Sequence, residues 1–169
     1  KYLEPRLIYT TDGFRVGCGK NGDRRTIHLG IDVFITAGTD IFSPLDGRVV
    51  HIEFCDKPLD YGGFVVLEHA TPKGKPFYAL FGHLEKHSIP SQIGISVSKG
   101  DLIGRIGNTD VNGGWEPHLH FQLALGLGHE SNWPGVCDPD EIEFWAQYCP
   151  NPARLLGINP KAIAFEEIN

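Results

Sequence analysis

The ten residues EPHLHFQLAL, from Glu116 to Leu125, alternate between polar and apolar side chains and predict a β-strand. Successive side chains of a strand point to opposite faces, so His118, His120 and Gln122 share one face and the apolar residues share the other. A single imidazole on a strand is usually a hydrogen-bonded core residue or a surface residue. Two on one face, roughly 7 Å apart, can also be directed at one metal ion or one substrate group. The rest of the sequence must then supply further ligands.

Short apolar segments separated by turn residues surround this strand and predict a fold dominated by β-structure. The sequence contains 21 glycines and 12 prolines, which is typical of many tight turns and not of alternating helices and strands. The segment TPKGKP has the composition of a hairpin loop between two strands. The predicted strands are 47–54, 62–70, 77–84, the end of 99–107 after a turn, and 118–125.

The C-terminal residues 138–158 have helical signals instead. Asp138 is a candidate N-cap, Pro139 occupies the first helical position, and Glu141 has the spacing of a capping box. A second short helix, PARLLG, is predicted over 152–157 and ends at its glycine. We expect these short C-terminal helices to pack on the sheet and not to carry the chemistry.

The composition argues against two classes of protein. The sequence has no run of about 18 apolar residues, so no transmembrane segment is predicted. The net charge of -6 and the lack of a basic cluster argue against nucleic acid as a partner.

No linker or internal repeat divides the chain, so residues 1–169 are predicted to form one domain. The chain begins without methionine or an apolar leader and is interpreted as a processed or excised segment, so its location stays open.

The four cysteines do not predict a thiolate metal site. Cys18, Cys55, Cys137 and Cys149 contain no C-x-x-C pair. An even number permits two disulfides in an exported protein, whereas buried thiols are the ordinary state in a chain of this size. Their disulfide state is therefore left undetermined.

Additional ligands for the paired histidines are available in the segment HLGID. His28 and Asp32 would have Cα atoms ~13 Å apart if this segment were extended. Ligand atoms on one zinc ion lie ~2.0 Å from the metal, so a straight strand cannot bring both to it. The chain must bend at Gly30 for the pair to act together, since glycine bends at the lowest cost. Alone, the pair favours a loop histidine beside a turn-capping aspartate.

A fifth candidate, His83, ends the aromatic-rich strand FYALFGHL. Its spacing to His87 resembles helical zinc-protease motifs, but Glu85 is not at the position that either of those motifs requires. The candidate site therefore consists of His28, Asp32, His83, His118 and His120. The remaining histidines, His51, His69, His87 and His129, are interpreted as structural or surface residues.

The order H-x-x-x-D, then a histidine after an aromatic strand, then H-x-H, resembles the lysostaphin-type, LytM-like zinc metallopeptidases. The similarity extends over residues 28–125 and includes HLGIDVFITAGTDIFSPLDGRVV, VSKGDLIGRIGNT and PHLHFQL. It implies a mostly antiparallel β-sheet sandwich of the LytM-like, barrel-sandwich type with a substrate groove. It also implies Zn2+ held by His28, Asp32 and His120, with His83 and His118 as the catalytic pair. Which of these two is the general base is left open.

The same resemblance implies a zinc-dependent endopeptidase that acts chiefly on bacterial cell-wall peptides, or peptidoglycan. The loop NTDVNGGWEP replaces a Thr-Gly-rich family loop and borders the groove, so Asn108, Trp115 and Glu116 are candidate groove residues. Gln122 stands where the family often has Glu. A wall hydrolase would be exported to the periplasm or the extracellular space. A peptidase-like module of a larger multidomain enzyme would be cytoplasmic and would act on a non-wall substrate.

Two alternatives have a different mechanism. The turn-strand segments SPLDGRVV and VSKGDLIGRIG also resemble biotinyl, lipoyl and phosphocarrier domains, and the last of these use paired histidines for phosphoryl transfer. A phosphohistidine site leaves Asp32 and the third histidine unexplained. A metal-free binding module on the same scaffold is the other alternative, and the five polar positions argue against it.

Overall fold

The computed structural model describes residues 1–6, 8, 25–55, 57–126 and 134–159. The strands in these ranges are β1 (Ile27–His28), β2 (Ile31–Phe34), β3 (Asp40–Phe42), β4 (Gly47–Cys55), β5 (Gly62–Ala70), β6 (Pro76–Leu84), β7 (Ser96–Val97), β8 (Leu102–Arg105), β9 (His118–Ala124) and β10 (Val136–Cys137). One α-helix, α1 (Ile142–Tyr148), lies between two 3-10 helices, Pro139–Glu141 and Pro152–Arg154.

Six antiparallel strands form the main sheet in the order β2-β9-β6-β5-β4-β7. Strand β9, predicted from HLHFQLAL, lies between β2 and β6, and all of its residues are buried. The strands predicted at 47–54, 62–70 and 77–84 are confirmed to within one residue at either end. Because β9 is paired on both edges, the side chains that project from it are held on a fixed backbone.

The hydrophobic core lies between the main sheet and the two-stranded β3-β8 sheet. Alternate residues of β9, among them Leu119 and Phe121, enter this core together with Ile41 of β3 and Ile103 of β8. This confirms the predicted strand-dominated antiparallel fold and the apolar face of HLHFQLAL. The residues of this core that are almost inaccessible to solvent are Val49, Val65, Leu67, Ala79, Phe81, Leu84, Ile103, Ile106 and Phe121.

The C-terminal helices cover part of the opposite face of the sheet. Cys149 packs there against Phe64 and Leu80, with Trp145 and Tyr148 of α1 at the edge of the cluster. Because these residues bury the apolar part of that face, the expectation that the helical tail packs on the sheet is confirmed.

The caps of the tail differ in detail from the prediction. The Asp138 carboxylate accepts a hydrogen bond from the Asp140 amide at 2.9 Å, as an N-cap does. The Glu141 carboxylate accepts from Trp145 Nε1 at 2.9 Å, so it is bound to a side chain one turn along α1. The second predicted helix is shorter than expected and consists of the 3-10 turn Pro152–Arg154.

The N-terminal residues 1–6 run along the free edge of β1. The Leu3 amide donates to the His28 carbonyl at 2.8 Å, and the His28 amide donates to the Glu4 carbonyl at 3.1 Å. The Arg6 amide donates to Thr26 at 2.9 Å. Since β10 pairs with the other edge of β1, the backbone of His28 is held from both sides.

The structure also bears on the cysteines and on the length of the helices. Cys55, Cys137 and Cys149 are free thiols, and Cys18 lies outside the described residues. In the described ranges, the helices are too short to cross a membrane.

Candidate metal centre

Strand pairing and one bend bring three of the candidate residues together. Asp32 of β2 lies directly opposite His120 of β9. The chain bends at Gly30, between β1 and β2, and this bend returns His28 to the same point. The bend expected in HLGID is therefore present, and it lets residues four positions apart direct their side chains to a common centre.

The three side chains meet at nearly equal distances. His28 Nε2 lies 3.0 Å from His120 Nδ1, and each of these nitrogens lies 3.1 Å from Asp32 Oδ1. Both imidazoles are buried, and the Asp32 side chain is 5% exposed. The group could hold a metal ion because each residue contributes one ligand atom to a compact triangle.

The remaining ring nitrogens identify the tautomers. His28 Nδ1 lies 2.9 Å from the Lys1 carbonyl oxygen, which can only accept, so this nitrogen carries the proton. His120 Nε2 lies 3.0 Å from Gln122 Oε1. The Gln122 amide is oriented by its own NH2 group, which donates to the Pro134 carbonyl at 3.2 Å, so His120 Nε2 is also a donor. In the neutral form of both rings, His28 Nε2 and His120 Nδ1 are then the nitrogens whose lone pairs point into the triangle.

The protonation states suit a cation. Burial lowers the pKa of His28 to about 4. Burial raises the pKa of Asp32, but its contacts with His120 and His28 outweigh this and hold the pKa well below its usual range. At neutral pH the site thus contains an ionised carboxylate and neutral His28, which are the forms that bind metal.

His83 and His118 lie beside the triangle as a second pair. Their ring centroids are 4.2 Å apart, and His118 Nε2 lies 3.8 Å from Asp32 Oδ1. His118 Nδ1 donates to the Glu116 carbonyl at 2.6 Å, and His83 Nδ1 donates to the Asn112 carbonyl at 3.2 Å. Both histidines therefore present an unprotonated Nε2. Burial is the largest cause that lowers the pKa of each, so both imidazoles are neutral at neutral pH.

The backbone of His83 is in the left-handed region, with φ of 63°. Few residues other than glycine adopt this conformation, and it is maintained here by neighbouring backbone groups. The His83 amide donates to the Tyr61 carbonyl, and its carbonyl accepts from the Gly107 amide, both at 2.8 Å. These two bonds direct the imidazole towards His118.

An open cleft of about 1270 Å³ contains all five candidate side chains. Trp115 and Glu116 line this cleft together with Phe34, a residue that is 68% exposed. Asn108 is exposed and does not line it; its side-chain oxygen accepts from the Asp110 amide at 3.1 Å within its own turn.

Several residues of the site were not among the sequence candidates. Gln122 orients His120, and Tyr61 packs its ring against His120 and His83 at centroid distances of 5.2 and 5.8 Å. The side chain of the buried Asn112 forms two hydrogen bonds with the backbone of Trp115. Its Nδ2 donates to the Trp115 carbonyl at 2.9 Å, and its Oδ1 accepts from the Trp115 amide at 3.0 Å. Gln122 was detectable as the next residue on the histidine face of the strand.

The other histidines lie apart from the centre. His69 is buried and donates from Nδ1 to the Asp46 carbonyl at 2.9 Å, whereas His51 is half-buried and His87 is exposed. This agrees with their interpretation as structural or surface residues. His129 lies outside the described residues.

The family follows from a comparison of the whole chain with known proteins. The model of "Peptidase family M23" matches residues 26–132, which is more than half of the chain and includes all five candidate residues. The chain belongs to peptidase family M23. Proteins of this family are zinc-dependent peptidases, a class of hydrolases.

Two curated relatives support the same family. A metalloprotease from Haemophilus influenzae, described as uncharacterized, is 32% identical over 98 residues, which are 58% of the M23 chain and 18% of the relative. A protein of the same description from Buchnera aphidicola is 33% identical over 98 residues, or 58% and 23% of the two chains. The M23 chain therefore spans only about a fifth of the length of these curated relatives.

Solved structures share the fold. A protein from Pseudomonas aeruginosa assigned to peptidase M23 has a TM-score of 0.51 and 26% identity, covering 78% of the M23 chain and 44% of the other. The protein LytU has a TM-score of 0.54 at 22% identity, covering 84% and 79%. The second comparison supports the fold alone.

Proposed function

We propose that this M23 chain binds one zinc ion through His28 Nε2, Asp32 Oδ1 and His120 Nδ1 and hydrolyses peptide bonds in bacterial cell-wall peptides. One observation carries the proposal: the carboxylate oxygen and the two ring nitrogens, which are acceptors in the neutral tautomers assigned above, converge at 3.0 to 3.1 Å. Two lone pairs and an anionic oxygen repel one another at this distance unless a cation or additional protons lie among them.

The dimensions of the triangle favour zinc. A tetrahedral zinc ion with ligands about 2.0 Å away separates those ligands by about 3.3 Å. The separations of His28, Asp32 and His120 are within a few tenths of an ångström of this value. Two imidazoles and one carboxylate leave a fourth position open, which is the arrangement of hydrolytic and not of structural zinc sites.

The chemistry that zinc supplies in such a site is Lewis acidity, which lowers the pKa of water and polarises the scissile carbonyl. His83 and His118 carry out the proton transfers of the reaction. Each presents an unprotonated Nε2 because its Nδ1 donates to a backbone carbonyl. One Nε2 accepts the proton of the attacking water, and the resulting imidazolium donates to the developing oxyanion or the departing amine. Either histidine can take either role in this scheme.

Cell-wall peptides are proposed as the substrate because of the resemblance to lysostaphin-type peptidases and the open form of the cleft. An extended peptide needs a groove that is accessible from the side, and the cleft has a volume of about 1270 Å³. Trp115 and Phe34 offer aromatic surface near the catalytic pair. This substrate requires export of the protein that contains the domain.

The test combines metal content with hydrolysis. Elemental analysis of the purified chain is expected to find about one zinc per chain, and the His28→Ala and His120→Ala variants are expected to lose both zinc and activity. His118→Ala is expected to retain zinc and to lose roughly 10²- to 10⁴-fold in kcat. His87→Ala, at an exposed position, is the matched control.

Isolated peptidoglycan and unrelated peptides are the substrates, with products followed by mass spectrometry. Hydrolysis of peptides but not of peptidoglycan would overturn the cell-wall substrate and favour a module of a larger enzyme. Bound zinc without hydrolysis of either would favour a binding module. Equal loss of zinc from His118→Ala and His120→Ala would overturn the assignment of their roles.

A further inference from the structure

We infer that the N-terminal segment 1–6 completes the metal centre and that Arg6 is a positioning residue for the metal-binding carboxylate of Asp32. The inference rests on the proposed function, because it takes Asp32 as a zinc ligand. Segment 1–6 lies outside residues 26–132, the part that matches the family model. The match to the family model therefore does not by itself imply this role.

The position of segment 1–6 is well defined. Backbone hydrogen bonds join Leu3 and Glu4 to His28, and Arg6 to Thr26, at 2.8 to 3.1 Å. The Tyr2 hydroxyl donates to the Cys149 carbonyl at 2.6 Å. The segment thus forms a further strand-like edge beside β1, anchored on the C-terminal helices.

Arg6 forms a hydrogen bond with Oδ2 of Asp32, the carboxylate oxygen that is not part of the triangle. Its Nη1 donates to Asp32 Oδ2 at 2.5 Å, whereas Oδ1 lies 3.1 Å from the two histidine nitrogens. A free carboxylate can bind a metal through one oxygen or both. With Oδ2 bound to a guanidinium in a largely buried position, Asp32 is limited to a single oxygen. This keeps the coordination number low and a position open for water.

The charge of Arg6 is balanced locally. A guanidinium beside a zinc ligand would by itself oppose a divalent cation. The Glu4 carboxylate accepts a hydrogen bond from Arg6 Nε at 3.0 Å, so the cation is shared between two carboxylates. This sharing reduces the repulsion between the guanidinium and the metal, while the directional hydrogen bond to Asp32 is kept.

The same segment also orients His28. The Lys1 carbonyl accepts from His28 Nδ1 at 2.9 Å, which fixes the tautomer that leaves Nε2 for the metal. Two of the three proposed ligands thus obtain their outer hydrogen-bond partner from residues 1–6. The third, His120, obtains it from Gln122 of β9.

The experiment measures zinc affinity by competition with a chromophoric chelator, for the wild type, Arg6→Gln and Arg6→Lys. Arg6→Gln is expected to weaken zinc binding by about 10- to 100-fold. Arg6→Lys retains the charge and is expected to recover part of this loss. The control is Arg48→Gln, which removes a guanidinium from an exposed ion pair with Glu68 at 2.9 Å, far from the centre in the sheet. It should bind zinc as the wild type does.

The visible absorption of the cobalt-substituted proteins provides a readout that a merely structural role would not change. Release of Asp32 Oδ2 in Arg6→Gln is expected to alter the cobalt spectrum towards a higher coordination number, while Arg48→Gln keeps the wild-type spectrum. Circular dichroism of the metal-free proteins checks the fold. If Arg6→Gln does not fold, Arg6→Lys alone must weaken binding and alter the spectrum.

The two proposals fail in different ways. A wild-type chain that binds no zinc would overturn the proposed function. A wild type that binds zinc, with Arg6 variants of equal affinity and unchanged cobalt spectrum, would overturn only the role of Arg6. Tighter binding by Arg6→Gln would also overturn it, because Arg6 would then compete with the metal.

Discussion

Gly30 lies directly against the imidazole of His120. A Cβ atom on Gly30 would be 2.7 Å from both Cε1 and Nε2 of that ring and 2.8 Å from the Phe121 carbonyl oxygen. Real Cβ contacts are essentially never this short, so the bend between β1 and β2 has room only for glycine. The residue that bends the chain towards Asp32 therefore also leaves space for the ring of His120.

Gly30→Ala is expected to displace His120 and to weaken zinc binding. Because one of the close atoms is a backbone oxygen, the added methyl group cannot be accommodated by a side-chain rotation alone. Overpacking of this kind costs about 1 to 3 kcal/mol. Zinc competition and thermal unfolding of the metal-free protein provide the measurements. Unchanged zinc affinity in a folded variant would contradict the geometry at Gly30.

Gln122→Leu is expected to weaken zinc binding by about 10- to 100-fold, because His120 loses the acceptor that orients it. Gln122→Glu keeps an acceptor oxygen at that position and is expected to bind zinc at least as tightly as the wild type does. Gln147→Leu, at an exposed position of α1, is the control. Equal affinities of Gln122→Leu and the wild type in the chelator assay would show that His120 needs no such partner.

Asn112→Ala is expected to lower kcat/KM while the zinc content stays constant. The change removes both hydrogen bonds that hold the Trp115 backbone and loosens the loop whose carbonyl accepts from His83. Leaving these partly buried Trp115 backbone groups unpaired costs up to about 1 to 3 kcal/mol. Asn108→Ala is the matched control in the same loop, since Asn108 is exposed outside the cleft. Steady-state kinetics together with elemental analysis distinguish this effect from loss of metal.

His69 is expected to make the domain less stable as the pH falls below about 6.5, the ordinary histidine pKa. Burial lowers the pKa of His69, and its Nε2 has no partner among the described residues. Below pH ~6.5 the unfolded chain therefore binds a proton that the folded chain does not, until the pH reaches the lowered pKa. Each unit of that lowering removes about 1.4 kcal/mol from the free energy of unfolding.

The measurement is urea unfolding of the wild type and His69→Gln at several pH values from 7 down to 4, with His87→Gln as the exposed control. The free energy of unfolding of His69→Gln should fall less steeply with decreasing pH than that of the wild type. Parallel pH profiles for the two proteins would rule out His69 as the source.

Local sequence was sufficient for the strands and for the two faces of β9. Alternation in HLHFQLAL is a property of neighbouring residues, and the structure buries Leu119 and Phe121 in the core as that alternation predicts. The bend at Gly30 also followed from local geometry, because an extended HLGID segment keeps His28 and Asp32 too far apart. The grouping of His28, Asp32 and His120 was expected from the resemblance to a known family.

Other features depend on contacts between distant parts of the chain. The Asn112 carbonyl that accepts from His83 is 29 residues away, and Arg6 is 26 residues from Asp32. No local pattern marks such pairs. Helix length was also misjudged at the second predicted helix, where PARLLG forms only a 3-10 turn.

The alternation of side chains, the turn residues and the motif order thus determined which residues are available for a metal site. Only the tertiary structure decided which atoms of those residues meet. The Lys1 carbonyl and Gln122 select the tautomers of His28 and His120, and Arg6 selects the oxygen of Asp32. A hydrogen bond acts over about 3 Å, and only folding brings Lys1 to His28, Arg6 to Asp32 and His28 to His120 within that distance.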